Sequence, residues 1–164
     1  MKYILITLTI TLLLTSCADK NAFDKFNMQK DQELSADSLQ SSKIKRSQDI
    51  DGLISAVYLN NIYPDIYNEH EYFYVYIYQK DKKEMYNPNT QDDIELTMKL
   101  NSKLPVKIKE LSAINKFSHL TSVQSKWQRY FLVAFGKEDE GELNLILESG
   151  QSSSDALNYQ KVKQ

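Results

Sequence analysis

From residue 52 onward the chain alternates apolar and polar positions with a period of two, as half-buried strands do. The clearest run is EYFYVYIYQ, residues 71–79. There Phe73, Val75 and Ile77 share one face, and Tyr72, Tyr74, Tyr76 and Tyr78 share the other. Residues 93–101 set Ile94, Leu96, Met98 and Leu100 against Glu95, Thr97, Lys99 and Asn101, which predicts one buried and one wet face. Residues 52–60 predict a first strand, 106–109 a short continuation beyond Pro105, and 129–135 a fully buried strand. Residues 142–148 predict a strand pairing with 129–135 across the charged, glycine-bounded loop 136–141. Residues 157–162 read as a weak edge strand. Between residues 111 and 127 there is no clean period, and a short helix fits around 113–120. Trp127 is expected to anchor the core or its rim.

Six or seven short strands separated by turn signals, with no strong amphipathic helix, predict an all-β fold, an antiparallel β-sandwich over residues 52–164. A parallel sheet would need crossover helices of a dozen residues or more, and the chain has no room for them.

The pattern ahead of that domain is different. Residues 1–14 read MKYILITLTITLLL, a single positive charge at Lys2 followed by an uncharged apolar run. This is the layout of a secretory signal peptide, and the run is short for a membrane span. Leu14, Thr15, Ser16 and Cys17 follow and resemble a bacterial lipobox. Residues 1–16 would then be cleaved, leaving Cys17 to carry diacylglycerol and a further acyl chain such as palmitate. An ordinary signal peptide with a chance cysteine is the alternative. Lipid chains buried at about 0.8 kcal/mol per CH₂ would hold the protein stably on a membrane. Ala18, rather than Asp, after the cysteine favours the outer membrane under the enterobacterial sorting rule, on its periplasmic side. Residues 17–51 are rich in Asp, Lys, Ser and Gln with sparse apolar positions, and they predict a flexible linker behind the lipidated cysteine.

Composition narrows the chemistry. Two histidines and one cysteine among 164 residues leave no Cys/His cluster for zinc, and a net charge of −2 is not a nucleic-acid footprint. Four scattered glycines make no phosphate cradle. No serine sits in a G-x-S-x-G elbow, and nothing local orients His70 or His119. The acidic runs at 92–93 and 138–140 lack the spacing of a calcium loop. The expectation is a non-enzymatic protein with no cofactor beyond the lipid on Cys17, no small-molecule substrate and no nucleic-acid partner.

Tyrosine is the outlier: there are 11, eight of them between Tyr58 and Tyr86. The stripe Tyr72, Tyr74, Tyr76 and Tyr78 has three readings. It covers a sheet, because tyrosine favours strands; it stacks on peptidoglycan or another glycan; or it forms a protein interface. Tyr63 and Tyr67 differ in kind. They lie with Ile62, Pro64, Asp65 and Ile66 in a connector that is more apolar than a mere turn requires, and loops on a rigid sheet commonly carry function.

A first strand ends in Leu59 and Asn60, and a loop with Pro64 and Asp65 follows. A second strand closes on Val75, Tyr76, Ile77, Tyr78 and Gln79. A later strand holds Leu132, Val133, Ala134 and Phe135 ahead of a charged turn. In this layout the chain resembles the outer-membrane lipoprotein of the type VI secretion system, the TssJ family. The resemblance implies a transthyretin-like β-sandwich without enzymatic activity. It implies an assembly subunit that holds the periplasmic part of the inner-membrane TssM protein. It also implies that the loop between the first two strands, here Asn60 to Glu71 and within it Ile62, Tyr63, Pro64, Asp65, Ile66 and Tyr67, contributes to that contact.

Overall fold

The computed structural model describes residues 30–89, 95–121, 124–139 and 141–161. The signal peptide expected at 1–16, the lipidation at Cys17 and the first part of the linker lie outside these residues.

Among the described residues, nine strands make one antiparallel sheet. They are β1 (Leu39–Arg46), β2 (Asp49–Tyr58), β3 (Glu71–Gln79), β4 (Thr97–Leu100), β5 (Lys107–Leu111), β6 (Arg129–Phe135), β7 (Glu142–Ser149), β8 (Ser152–Ser154) and β9 (Leu157–Gln160). Helices α1 (Lys30–Ser38) and α2 (Leu59–Ile62) and a 3₁₀ turn at Ser118–Leu120 complete the elements. The strand order is β4-β7-β8-β1-β2-β3-β6-β5, with β9 also on β7. The all-β antiparallel expectation holds, and the strands join into one continuous sheet.

That sheet curls until its wings share a core. Phe73, Val75 and Ile77 of β3 and Phe131, Val133 and Phe135 of β6 pack in one cluster with Leu143, Leu145 and Leu147 of β7 and with Leu157 and Tyr159 of β9. No ladder joins β9 to β2, yet the Tyr159 phenol donates to the Ala56 carbonyl of β2 at 2.8 Å. The Tyr159 ring also lies 5.2 Å from that of Phe73. Gly52 permits the tight pairing of β2 with β3: a Cβ there would stand 2.3 Å from the Tyr78 carbonyl.

Two expectations are corrected by strand pairing. The strand at 142–148 does not form a hairpin with 129–135: β7 pairs with β4, β8 and β9, while β6 pairs with β3 and β5. The loop after β6 crosses to the opposite wing because Glu71, 2% exposed, holds it there. Glu71 accepts from the Glu138 amide at 2.9 Å and the Tyr58 phenol at 2.5 Å, and it pairs with Lys161 at 2.5 Å. Nor are residues 30–51 a linker. They form α1, β1 and the start of β2, with β1 zipped to β2 from Leu39↔Val57 to Arg46↔Asp49. β1 is polar because one strand face is largely open, and only Ile44 is buried along it.

The helix expected around 113–120 is only the 3₁₀ turn at Ser118–Leu120. Trp127 anchors nothing, being 81% exposed. The last strand ends at Gln160.

Burial pushes the Glu71 carboxyl up, but Lys161, Tyr58 and the Glu138 amide outweigh it and hold it below its ordinary 4.5. A group depressed in the folded state contributes stability above its unfolded value, and that contribution is lost as pH falls through the folded value. Glu71→Gln should therefore cost about 3 kcal/mol at neutral pH, since it leaves Lys161 without its charge partner. It should also flatten the stability profile below pH about 4.5. Urea unfolding across pH measures both effects, and a variant that keeps the wild-type acid slope would contradict the assignment.

Candidate functional site

The loop between β2 and β3 is built by its own sequence. Leu59–Ile62 make one helical turn, closed by the Tyr63 amide on the Leu59 carbonyl at 2.8 Å. The Tyr67 amide then returns to the Tyr63 carbonyl at 2.9 Å, which folds Pro64, Asp65 and Ile66 into a tip. Asn60 clips the base. Its side-chain amide donates to the His70 carbonyl at 2.7 Å, and its side-chain oxygen accepts from the Tyr72 amide at 2.8 Å. Asn61 donates to the Gln160 carbonyl at 2.9 Å, tying the loop to β9.

The six residues singled out in this loop divide by role. Ile62 and Tyr67 are buried anchors. The Tyr67 ring sits 4.9 Å from Tyr72 and 6.2 Å from Phe117, and its hydroxyl accepts from Lys116 at 2.9 Å. Tyr63 is half-buried, its hydroxyl 2.8 Å from His119 Nε2 and 3.2 Å from Asp31 Oδ2. Burial, then the Asp31 carboxylate, push its phenol up to about 12, so it stays neutral and able to donate. Pro64 is half-buried, Asp65 is exposed and Ile66 is 71% exposed. The tip is therefore the part of the loop that stands open to solvent.

Sequence reasoning missed the clasp behind the loop. Helix α1 lies against it: Ser35, fully buried, donates to the Leu120 carbonyl at 2.7 Å, and Gln32 donates to the His119 carbonyl at 3.1 Å. Asp31 Oδ2 stands 3.1 Å from His119 Nε2. The one signal was Leu34, the only large apolar residue of the helix, and it packs on an outer cluster that includes Tyr67, Tyr74, Phe117 and Tyr130.

That outer cluster also answers for the tyrosine stripe. Tyr74 is wholly buried, 5.2 Å from Phe117 and 6.2 Å from Tyr130, with residues 112–121 lying over it. Tyr72 and Tyr76 are half-buried, and only Tyr78 stands out, at 44% exposed. The stripe is chiefly the floor of a second core and not an open stacking platform.

A cleft of about 260 Å³ opens beside the loop base, lined by Tyr58, Asn60, Asn68, Glu71, Lys137 and Lys161 among others. Its one buried carboxylate, Glu71, already accepts from Tyr58, the Glu138 amide and Lys161. Among the described residues no group of His, Cys, Asp and Glu could hold a metal ion, and no helix is long and apolar enough to cross a membrane. Comparison with known proteins found no matching family model, no matching curated protein and no matching solved structure.

Ser35→Ala should leave the Leu120 carbonyl unsatisfied and cost about 1–2 kcal/mol. Amide exchange should show α1 opening faster while the β3 amides keep their protection. Equal loss of protection in both would place α1 within the same cooperative unit as the sheet.

Proposed function

We propose that this protein is an outer-membrane lipoprotein, anchored through Cys17 on the periplasmic side, that serves as a non-enzymatic assembly subunit by binding another envelope protein. Following the resemblance, the partner is the periplasmic part of a TssM protein in a type VI secretion complex. The reading carries the transthyretin-like description of the domain with it. The observation that supports it most is a loop tied down through Asn60, Asn61, Tyr63 and Tyr67 while Ile66 stands 71% exposed at its tip. An apolar side chain held rigidly in water costs little ordering entropy when a partner covers it.

Glycan binding through the tyrosine stripe is the second reading, and it has less to work with, since Tyr78 alone of the four stands open.

Two experiments test the proposal. Cys17→Ala should move the protein from the membrane fraction to the soluble periplasmic fraction, and retention on membranes would overturn the anchor. Ile66→Asp, which changes an exposed side chain and keeps the Ile66 amide on the Tyr63 carbonyl, should weaken binding to the purified periplasmic part of the TssM protein about tenfold or more, as expected of a central apolar contact. Titration calorimetry reads the change, and an unaltered affinity would remove the tip from the interface.

A further inference from the structure

The two ends of the sheet are finished differently. At the β4 end, residues 84–86 bridge to Leu96, the residue just ahead of the strand: the Leu96 amide donates to the Glu84 carbonyl at 3.0 Å and the Tyr86 amide to the Leu96 carbonyl at 2.8 Å. At the other end, among the described residues, β5 pairs with β6 alone. Its Lys107, Lys109 and Glu110 are exposed. A strand edge presents unpaired amides and carbonyls, and lysines along it turn away any chain that does not carry the opposite charge.

The register fixes what such a chain must look like. Lys107 and Lys109 lie opposite Ala134 and Leu132, which in turn lie opposite Tyr72 and Tyr74, so both lysines belong to the outer face. Ile108 lies opposite Val133 and packs against the main core on the inner face. The charge on this edge is not cancelled. Glu110 is taken up by Arg129 at 3.0 and 3.1 Å, and among the described residues neither Lys107 nor Lys109 makes an ion pair. Beside the lysines a groove of about 320 Å³ remains open, with Tyr72, Leu132 and Ala134 among its walls and His70 at the loop end.

We propose that the open β5 edge binds an extended acidic segment of a protein partner, added to the sheet as a further strand. Its alternate residues are acidic on the outer face, against Lys107 and Lys109, and apolar on the inner face, beside Ile108. Backbone hydrogen bonds supply affinity in strand addition and the alternating side chains supply selectivity. A second copy of this chain is disfavoured, because two lysine rows brought side by side repel. The inference does not rest on the loop tip.

The probe is acetyl-Glu-Val-Glu-Val-Glu-Val-Glu-amide, titrated against the full chain in detergent and followed by fluorescence anisotropy and amide exchange. Saturable binding is expected, with β5 amides protected about tenfold more in the complex. The double variant Lys107→Glu/Lys109→Glu should weaken binding about tenfold or more, and so should N-methylation of alternate peptide amides. Ile66→Asp should leave peptide binding unchanged, which separates this surface from the loop reading. Absence of saturable binding, equal binding by the N-methylated peptide, or indifference to the lysine reversals would each overturn the proposal. A dimer that protects the same amides without peptide would give the edge to a second copy. Binding seen only after removal of residues 18–29 would give it to the chain's own segment. Either result overturns the proposal.

Discussion

A single buried carboxylate holds both the shape of the sheet and the posture of its loop. Glu71 begins β3, and the phenol that donates to it, Tyr58, ends β2. The hydrogen bond between them therefore staples the two ends of the intervening loop. The same carboxylate reaches the amide of Glu138 after β6 and the ammonium of Lys161 after β9, so it draws both wings of the curled sheet to one point. Lys161 also donates to the Glu138 carbonyl, and Lys103 meets the Glu138 carboxylate at 2.9 Å, so the node is a network of several members. A buried charge is tolerable only when its lone pairs are filled in this way. Burial and the Glu71 carboxylate also raise the Tyr58 phenol far above its ordinary value, so it remains a donor throughout the neutral range.

The second constraint is that the sheet is apolar on both faces. Phe73, Val75 and Ile77 are covered by the opposite wing, but Tyr74 and Tyr130 on the other side need a separate roof. Residues 112–121, the loop tyrosines and Leu34 of α1 supply it. Tyrosine suits this layer because each ring buries apolar area while its hydroxyl finds a partner at the margin. The Tyr130 hydroxyl accepts from the Ser125 amide at 2.8 Å, and Asn115 approaches the Tyr74 hydroxyl at 3.4 Å. The loop is thus part of the roof as well as a surface feature. Its aromatic anchors and its exposed tip belong to different physical problems.

β3 falls where its alternation put it and β7 within a residue, and β6 falls where its continuous apolar run put it. Of the alternating run at 93–101, whose first two residues lie outside the described ones, only Thr97–Leu100 is strand. What periodicity could not supply was pairing. Period two says which face a residue takes and nothing about which strand lies beside it, so the chain's crossing after Phe135 was invisible. The deciding interaction, Glu71 with Glu138, spans 67 positions. Residues 30–51 were misjudged for a different reason. Composition measures apolar content, whereas β1 is held chiefly by backbone pairing on both edges, to β2 and β8, and by contacts such as Ser41 with Ser55 at 2.8 Å. Within the loop, residue type identified an unusual segment but could not separate Tyr67, which is buried, from Ile66, which is not.

That separation bears on how substitutions in the loop are to be interpreted. Replacing Tyr63 or Tyr67 by alanine removes a hydroxyl from His119 and Asp31, or one from Lys116 together with a ring packed on Phe117. Either change loosens the roof over Tyr74, so a lost interaction would follow from lost structure whether or not the tyrosine touched a partner. Ile66 has no such double duty, and neither do Lys107 and Lys109 on the outer edge. His70 connects the two regions, closing the loop through its carbonyl and lining the groove beside the lysines. Its Nδ1 is buried without a hydrogen-bond partner in the free chain. If the loop tip and the β5 edge both bind as proposed, a single partner covering the two would lie next to this residue, and its ring would report whether one such partner spans them.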